Sequence, residues 1–323
     1  MRRRSLLGLA AGLPLIRTAA AQGTDYPSRP VRVLVGFPPG GGVDLTARPL
    51  LAKLQERLGS QFVVENRGGA NGNIAMEATA RAAPDGYTLF FGNGGNLAIN
   101  HALYANLSFD TLRDFAPIAQ VVQVPLAVTV PADLPVRTVQ EFIALARSRP
   151  GQLNMGSGGT GGLPHLAFEL FRRQANIDVV HVPYRGSAPA LQDLIGGRVQ
   201  IMIDAFNLSR GAVEAGRVRV IATTGRERMP ALPDVPTVAE QGLPDFVAIG
   251  WQGLVAPAAT PAAIRARLEQ AVEWAMRETD LPRAYLDQGS LPHFAGAAAF
   301  RRLIDEERTL WARVVREGNI QPD

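Results

Sequence analysis

The chain has 323 residues, of which 46% are apolar and 19% charged; it is too long for one comfortable core and about right for two domains. It has no cysteine, which excludes a disulfide scaffold, a thiol nucleophile and a Cys-ligated metal, and Lys53 is its only lysine, so lysine chemistry has one position to use. The formal charge of +4 resides in Arg2, Arg3, Arg4 and Arg17; the remainder is neutral and makes no electrostatic case for nucleic acid or an anionic membrane.

Residues 1–21 read as a signal peptide. A basic start is followed by an apolar run over 6–16, broken by Pro14, and by Ala19-Ala20-Ala21 as a cleavage site. The run is too short to span a bilayer. The pair Arg3-Arg4 leaves the general secretory and twin-arginine routes both open. The expectation is a soluble protein exported to a bacterial periplasm, a compartment without ATP.

From there, short apolar runs alternate with helical stretches, the pattern of α/β layers on largely parallel sheets. A strand is predicted over 31–36, a helix over 44–58 with Leu50, Leu51, Leu54 and Leu58 on one face, and a strand over 62–65. A helix near 73–82 ends at the turn Pro84-Asp85-Gly86, which leads into a strand over 87–91. Further strands are predicted over 118–122, 126–130, 153–156, 179–182, 199–203 and 218–223. Helices are predicted over 139–148, 163–174, 188–195 and 261–277, and a docked terminal helix over 297–316. Residues 121–125 and 247–254 read as two crossings between domains. They divide the chain into a discontinuous first lobe, 22–123 and 248–323, and an inserted second lobe, 124–247, a topology suited to hinge closure.

Two glycine-rich loops each leave a strand and enter a helix. In the first, Phe37-Pro38-Pro39-Gly40-Gly41-Gly42-Val43-Asp44, the prolines stiffen the approach and the glycines expose backbone N–H groups. In the second, Gly156-Ser157-Gly158-Gly159-Thr160-Gly161-Gly162 precedes Pro164 and His165 at a helix start. Each is either a tight turn or an anion site at a helix N-terminus. The second loop also fits G-x-G-x-x-G, but the next acid, Asp178, stands before the following strand rather than after it, against a dinucleotide site.

The histidines 101, 165, 181 and 293 show no metal-helix spacing, and there is no nucleophile elbow. A triad of Ser157, His165 and a distant acid is disfavoured because Ser157 sits in a glycine run; His165 reads better as a first-turn residue bonding the loop. Asp44 is a helix N-cap or a ligand contact, Asp204 a cap or a contact at a strand end, and Asn93 a polar contact after a strand.

These residues resemble those of the Bug-type receptors, the periplasmic solute-binding component associated with tripartite tricarboxylate transporters. The resemblance runs along nearly all of the chain after residue 21. It is carried by Tyr26-Pro27-Ser28-Arg29-Pro30, Phe37-Pro38-Pro39-Gly40-Gly41-Gly42, Val64-Glu65-Asn66-Arg67, Pro84-Asp85-Gly86-Tyr87-Thr88-Leu89, the second loop with His165-Leu166, Pro183-Tyr184-Arg185-Gly186, and Leu232-Pro233-Asp234-Val235-Pro236-Thr237.

The resemblance implies an α/β, two-lobed periplasmic-binding-protein fold (Venus flytrap, type II) with a discontinuous first domain. It further implies a small carboxylate held between the loops, partly through ordered waters, and presentation to permease subunits or a sensor domain. No catalysis, cofactor, metal or nucleic acid is expected, and the protein is expected to be a monomer. The resemblance implies ligand contacts from Phe37, Gly40, Gly41, Gly42, Val43 and Asp44, from Ser157, Gly158, Gly159, Thr160 and Gly161, and from Asp204, which would discriminate the ligand's distal group; Asn93 and His165 join them as expected ligand-binding residues from the reading of the strand end and the second loop. Similar proteins have Pro, Thr and Ser where this chain has Gly36, Val43 and Gly162, so two hydroxyls are absent and a more apolar or aromatic acid is favoured. The alternatives are an exported α/β hydrolase or nucleotide-dependent enzyme and, third, an adhesion module.

Overall fold

The structure, a computed structural model, describes residues 26–321; the signal peptide predicted over 1–21 lies outside them. In the first lobe, β1 (Val31–Val35), β2 (Phe62–Asn66) and β3 (Thr88–Asn93) are parallel. They continue through β4 (Phe115–Pro131), β9 (Ile249–Pro257) and β10 (Leu291–Gly296) in the order β2-β1-β3-β9-β4-β10. Side chains alternate across this sheet as strand geometry requires. Val31, Val33 and Val35 meet α1 (Gly42–Leu58), α9 (Ala262–Glu278) and α10 (Leu281–Asp287) on one face. Leu34 and Phe90 meet α2 (Asn73–Ala80) and the start of α11 (Ala297–Gly318) on the other. Leu50 and Leu54, one turn apart on α1, are fully buried, so truncating either to alanine should cost about 2–5 kcal/mol.

Two expectations need correction. The sheets are not largely parallel: β9 runs antiparallel to both β3 and β4, and β10, β7 (Met202–Ala205) and β8 (Val218–Thr223) run antiparallel to β4. The strands predicted over 118–122 and 126–130 are a single strand of 17 residues. Gln123 and Pro125 interrupt the apolar pattern, but β9 pairs straight across them, Gln123 with Trp251 and Pro125 with Ile249, and a register shift follows Pro117 earlier in the strand. The two segments read as crossings therefore run side by side as hydrogen-bonded neighbours.

In the second lobe, the far half of β4 pairs with β7 and β8, and β5 (Asn154–Ser157) lies parallel to β6 (Val180–Pro183). Around these strands pack α5 (Val139–Ser148), α6 (Leu163–Ala175), α7 (Ser187–Ile195) and α8 (Phe206–Glu214). Two short helices, α3 (Asn100–Leu103) and α4 (Thr111–Asp114), connect β3 to β4. The second core is not built from its own segment alone. Ile99 and Leu103, around α3, and Trp311, Val314 and Val315 of α11 are buried within it. The terminal helix thus lies along both lobes, with Phe300 and Ile304 in one core and its last turns in the other.

Candidate functional site

β1 delivers the chain into the first glycine loop, and α1 begins at Gly42 with Gly41, not Asp44, in the cap position. A glycine cap has no side chain to offer, so the acid in the first turn reaches back instead, as in one half of a capping box. Asp44 Oδ2 accepts from the Gly40 amide at 2.9 Å and from Arg48 Nε at 2.8 Å, while Oδ1 accepts from Arg48 Nη2 and Asn66 Nδ2, each at 2.9 Å. Asn66 Nδ2 also donates to the Phe37 carbonyl at 2.9 Å.

Asp44 is 1% exposed. Burial pushes its carboxyl up, but Arg48, the Gly40 amide and Asn66 outweigh this and hold it at about 2. The carboxylate is spent on shaping the loop. The Gly41 amide closes onto the Pro38 carbonyl at 3.3 Å, which leaves the amides of Gly42, Val43 and Asp44 as the donors at the helix start with no acceptor among the described residues.

The second loop runs from β5 to α6, whose cap is Gly162. Its direct support comes from ring and hydroxyl groups, with the Glu169 carboxylate 3.9 Å behind His165 Nε2. The Gly161 amide donates to His165 Nδ1 at 3.0 Å, so that nitrogen carries no proton. Ser157 Oγ lies 2.6 Å from His181 Nε2 and donates to the Gly159 carbonyl at 3.0 Å. The rings of His165 and His181 stack with centroids 3.7 Å apart. Ser157 is fully buried and its ring partner is His181, so the arrangement of Ser157 with His165 weighed for a nucleophile is not assembled. Gly161 has φ +78°, and a Cβ there would lie 2.7 Å from Leu103 Cδ1; both conditions call for glycine.

A cavity of about 360 Å³ lies between the lobes, lined by Asn71, Leu103 and Tyr104 from the first and by Gly158, Gly159, Thr160, Gly161, Gly162, Pro164 and Ser187 from the second. None of these side chains carries a charge at neutral pH, so backbone dipoles must supply the complement to an anion. Of the candidate residues, the cavity gathers Gly158, Gly159, Thr160 and Gly161; Ser157 and His165 brace that loop from within the lobe.

Phe37, Gly40, Gly41, Gly42, Val43 and Asp44 do not line this cavity. The first loop reaches it by one step: a Cβ on Gly36 would lie 2.6 Å from the Gly72 Cα, and Asn71 precedes Gly72 in the wall. Asn93 is locked to Asn96 by reciprocal bonds of 3.0 and 3.2 Å.

Asp204 neither lines the cavity nor caps α8 through a side-chain bond; Ala205 holds the cap position. Its Oδ1 accepts from the Ala205 amide at 2.8 Å. Oδ2 is buried without a partner in hydrogen-bonding geometry, although the Ser187 hydroxyl of the cavity wall is near enough to favour the charged form. Burial dominates and pushes this carboxyl up.

Sequence reasoning missed Asn71, Leu103, Tyr104, Pro164 and Ser187 as wall residues. One signal was present for Asn71. It follows Gly68-Gly69-Ala70, adopts φ 51°, and asparagine tolerates that region. Its Nδ2 donates to Asn100 Oδ1 at 2.7 Å, and Asn100 Nδ2 donates to Asn73 Oδ1 at 2.6 Å, a chain of amides that fixes the wall.

Residues 46–320 match the tripartite tricarboxylate transporter family receptors. BugT of Bordetella pertussis is 35% identical, over 93% of this chain and 92% of its own. Among solved structures, Rpa4515 of R. palustris with adipate is 35% identical with a TM-score of 0.79, covering 93% of this chain and all of that one (100%). MatC of Rhodopseudomonas palustris with bound malate is 34% identical with a TM-score of 0.75, covering 90% and 100%.

Proposed function

The chain belongs to the tripartite tricarboxylate transporter receptor family, and on that premise we propose that it captures a small carboxylate between its lobes in the periplasm and hands it to membrane permease subunits or a sensor domain. One observation carries the reading: α6 begins at a glycine cap beside an interlobe cavity without charged side chains, and α1 of the other lobe begins at a glycine cap with amides that have no acceptor among the described residues. Such amides favour an anion by roughly 0.3–1 kcal/mol per exposed helix end and by up to about 2 when partly buried. Several charge-assisted bonds together reach the roughly −8 kcal/mol of micromolar binding after association costs.

The adipate and malate held by the two relatives direct the first trials to small carboxylates. The paired crossings of β4 and β9 serve as the hinge, and the second loop closes toward the first with the ligand between them. In this reading the ligand leaves unaltered and the receptor works as a monomer.

A thermal-shift and calorimetric panel of carboxylates tests it. A bound acid at about 100 times its Kd should stabilise the fold by roughly 2.7 kcal/mol. A flat response to every acid, together with turnover of an ester or binding of NAD(P), would replace the receptor with an exported enzyme.

A further inference from the structure

Beside the interlobe cavity lies a second hollow of about 530 Å³, enclosed by the start of α2 and the segment that follows α3. The two share Leu103 and Tyr104 as a common wall, and Ala70 of the hollow is the chain neighbour of Asn71 of the cavity. At this partition Ala70 and Asn71 both have positive φ, 46° and 51°, a costly conformation for non-glycine residues that concentrates at ligand clamps.

The hollow is mainly apolar where it matters. Ile74 stands 52% exposed on its rim, one of only a few large apolar side chains so displayed among the described residues, and Leu107 and Phe109 lie deeper. Its one acid is Glu77, ion-paired with Arg81, and no cationic side chain lines it.

We propose that this hollow receives the uncharged tail of a monocarboxylate whose acid group is held at the second glycine loop. The inference rests on the carboxylate-receptor reading and names the ligand class within it. The shared wall favours one ligand, because Leu103 and Tyr104 line both spaces. The charges favour a neutral tail. A second carboxylate placed here would face Glu77, whose neighbouring cation Arg81 is already paired with that acid, whereas an aryl or alkyl group would cover Ile74 and Leu107 and remove apolar surface from water.

Calorimetry on the intact chain after removal of the leader tests the idea with butanoate, 3-phenylpropanoate and octanedioate. The expected result is 3-phenylpropanoate binding about tenfold tighter than butanoate, with octanedioate weaker than 3-phenylpropanoate. Ile74→Asp, at an exposed site where folding should be unaffected, should lower the affinity for 3-phenylpropanoate about fivefold and leave butanoate unchanged. Glu77→Gln should narrow the gap between octanedioate and 3-phenylpropanoate. Butanoate binding to which a tail adds nothing, or an Ile74→Asp effect equal on both acids, overturns this inference alone. Failure of every acid to bind a folded protein overturns the receptor reading, and the inference with it.

Discussion

The first glycine loop is tied down by an ion-paired carboxylate, the second by two stacked histidines and a buried serine, although both open into helices capped by glycine. In the first, one acid gathers the Gly40 amide, Arg48 and Asn66, so the support is charged and its arginine is half exposed. In the second, the Gly161 amide leans on an unprotonated ring nitrogen of His165, which is 4% exposed. The difference teaches that a loop offering bare amides needs its own donors satisfied by a partner placed behind it, and that the chemistry of this partner is free to vary. It also separates the two loops experimentally, since a carboxylate and a ring nitrogen as the group accepting from the loop answer differently to mutation and to pH.

The largest expected effect is Asp44→Ala. It strips the acceptor from three groups at once and should lower the unfolding free energy by about 2–4 kcal/mol in a denaturant titration. A loss below about 1 kcal/mol would mean that the first loop does not depend on its carboxylate.

His165→Ala should cost about 1–3 kcal/mol, part from the orphaned Gly161 amide and part from the lost ring packing. Nitrogen chemical shifts of the wild-type imidazole should show Nδ1 bare and Nε2 protonated; the opposite tautomer would break the contrast.

Acid sharpens it further. Asp44 sits at about 2 when folded and near 3.9 when unfolded, so its contribution is complete above about pH 4 and is lost as the pH falls through 2. With Arg48 half in solvent, that contribution is roughly 1–2 kcal/mol, and Asp44→Asn should flatten the stability profile in this window. Smallest is Arg48→Gln, expected to cost about 0.5–1 kcal/mol and to leave the Gly40 bond in place; a larger loss would assign the support to the ion pair rather than to the amide.

Much of the fold was legible because it is written locally. The helix over 139–148 and the strand over 218–223 match α5 and β8 to the residue, since caps and apolar period fix them: Thr138 accepts from the Glu141 amide at the start of α5. The break in β4 was misplaced because a proline and a glutamine weaken the strand pattern in sequence, while the pairing that overrides them comes from residues some 130 positions away in β9. α8 escaped notice because Asn207, Ser209 and Gly211 are poor helix formers; tertiary packing of Phe206 holds it.

The site divides in the same way. The glycine loops were visible as composition. The wall opposite the second loop was not, because Leu103 and Tyr104 have no distinguishing local pattern and acquire their role only when α3 packs against Gly161. Asp44 was visible as a residue, but of the two roles weighed for it, cap or ligand contact, the cap position belongs to Gly41, since sequence cannot tell whether a first-turn acid or the glycine before it holds that position.

The course of α11 has a further consequence for how the molecule is made. Trp311, Val314 and Val315 complete a core whose other side chains are nearly all synthesised by residue 248. The inserted lobe therefore has to wait, partly assembled and with apolar surface uncovered, until the last segment of the chain emerges. A chain stopped before Trp311 would keep Phe300 and Ile304 in the first core but leave the inserted lobe open to proteolysis, and that lobe is not a unit that should be expressed by itself.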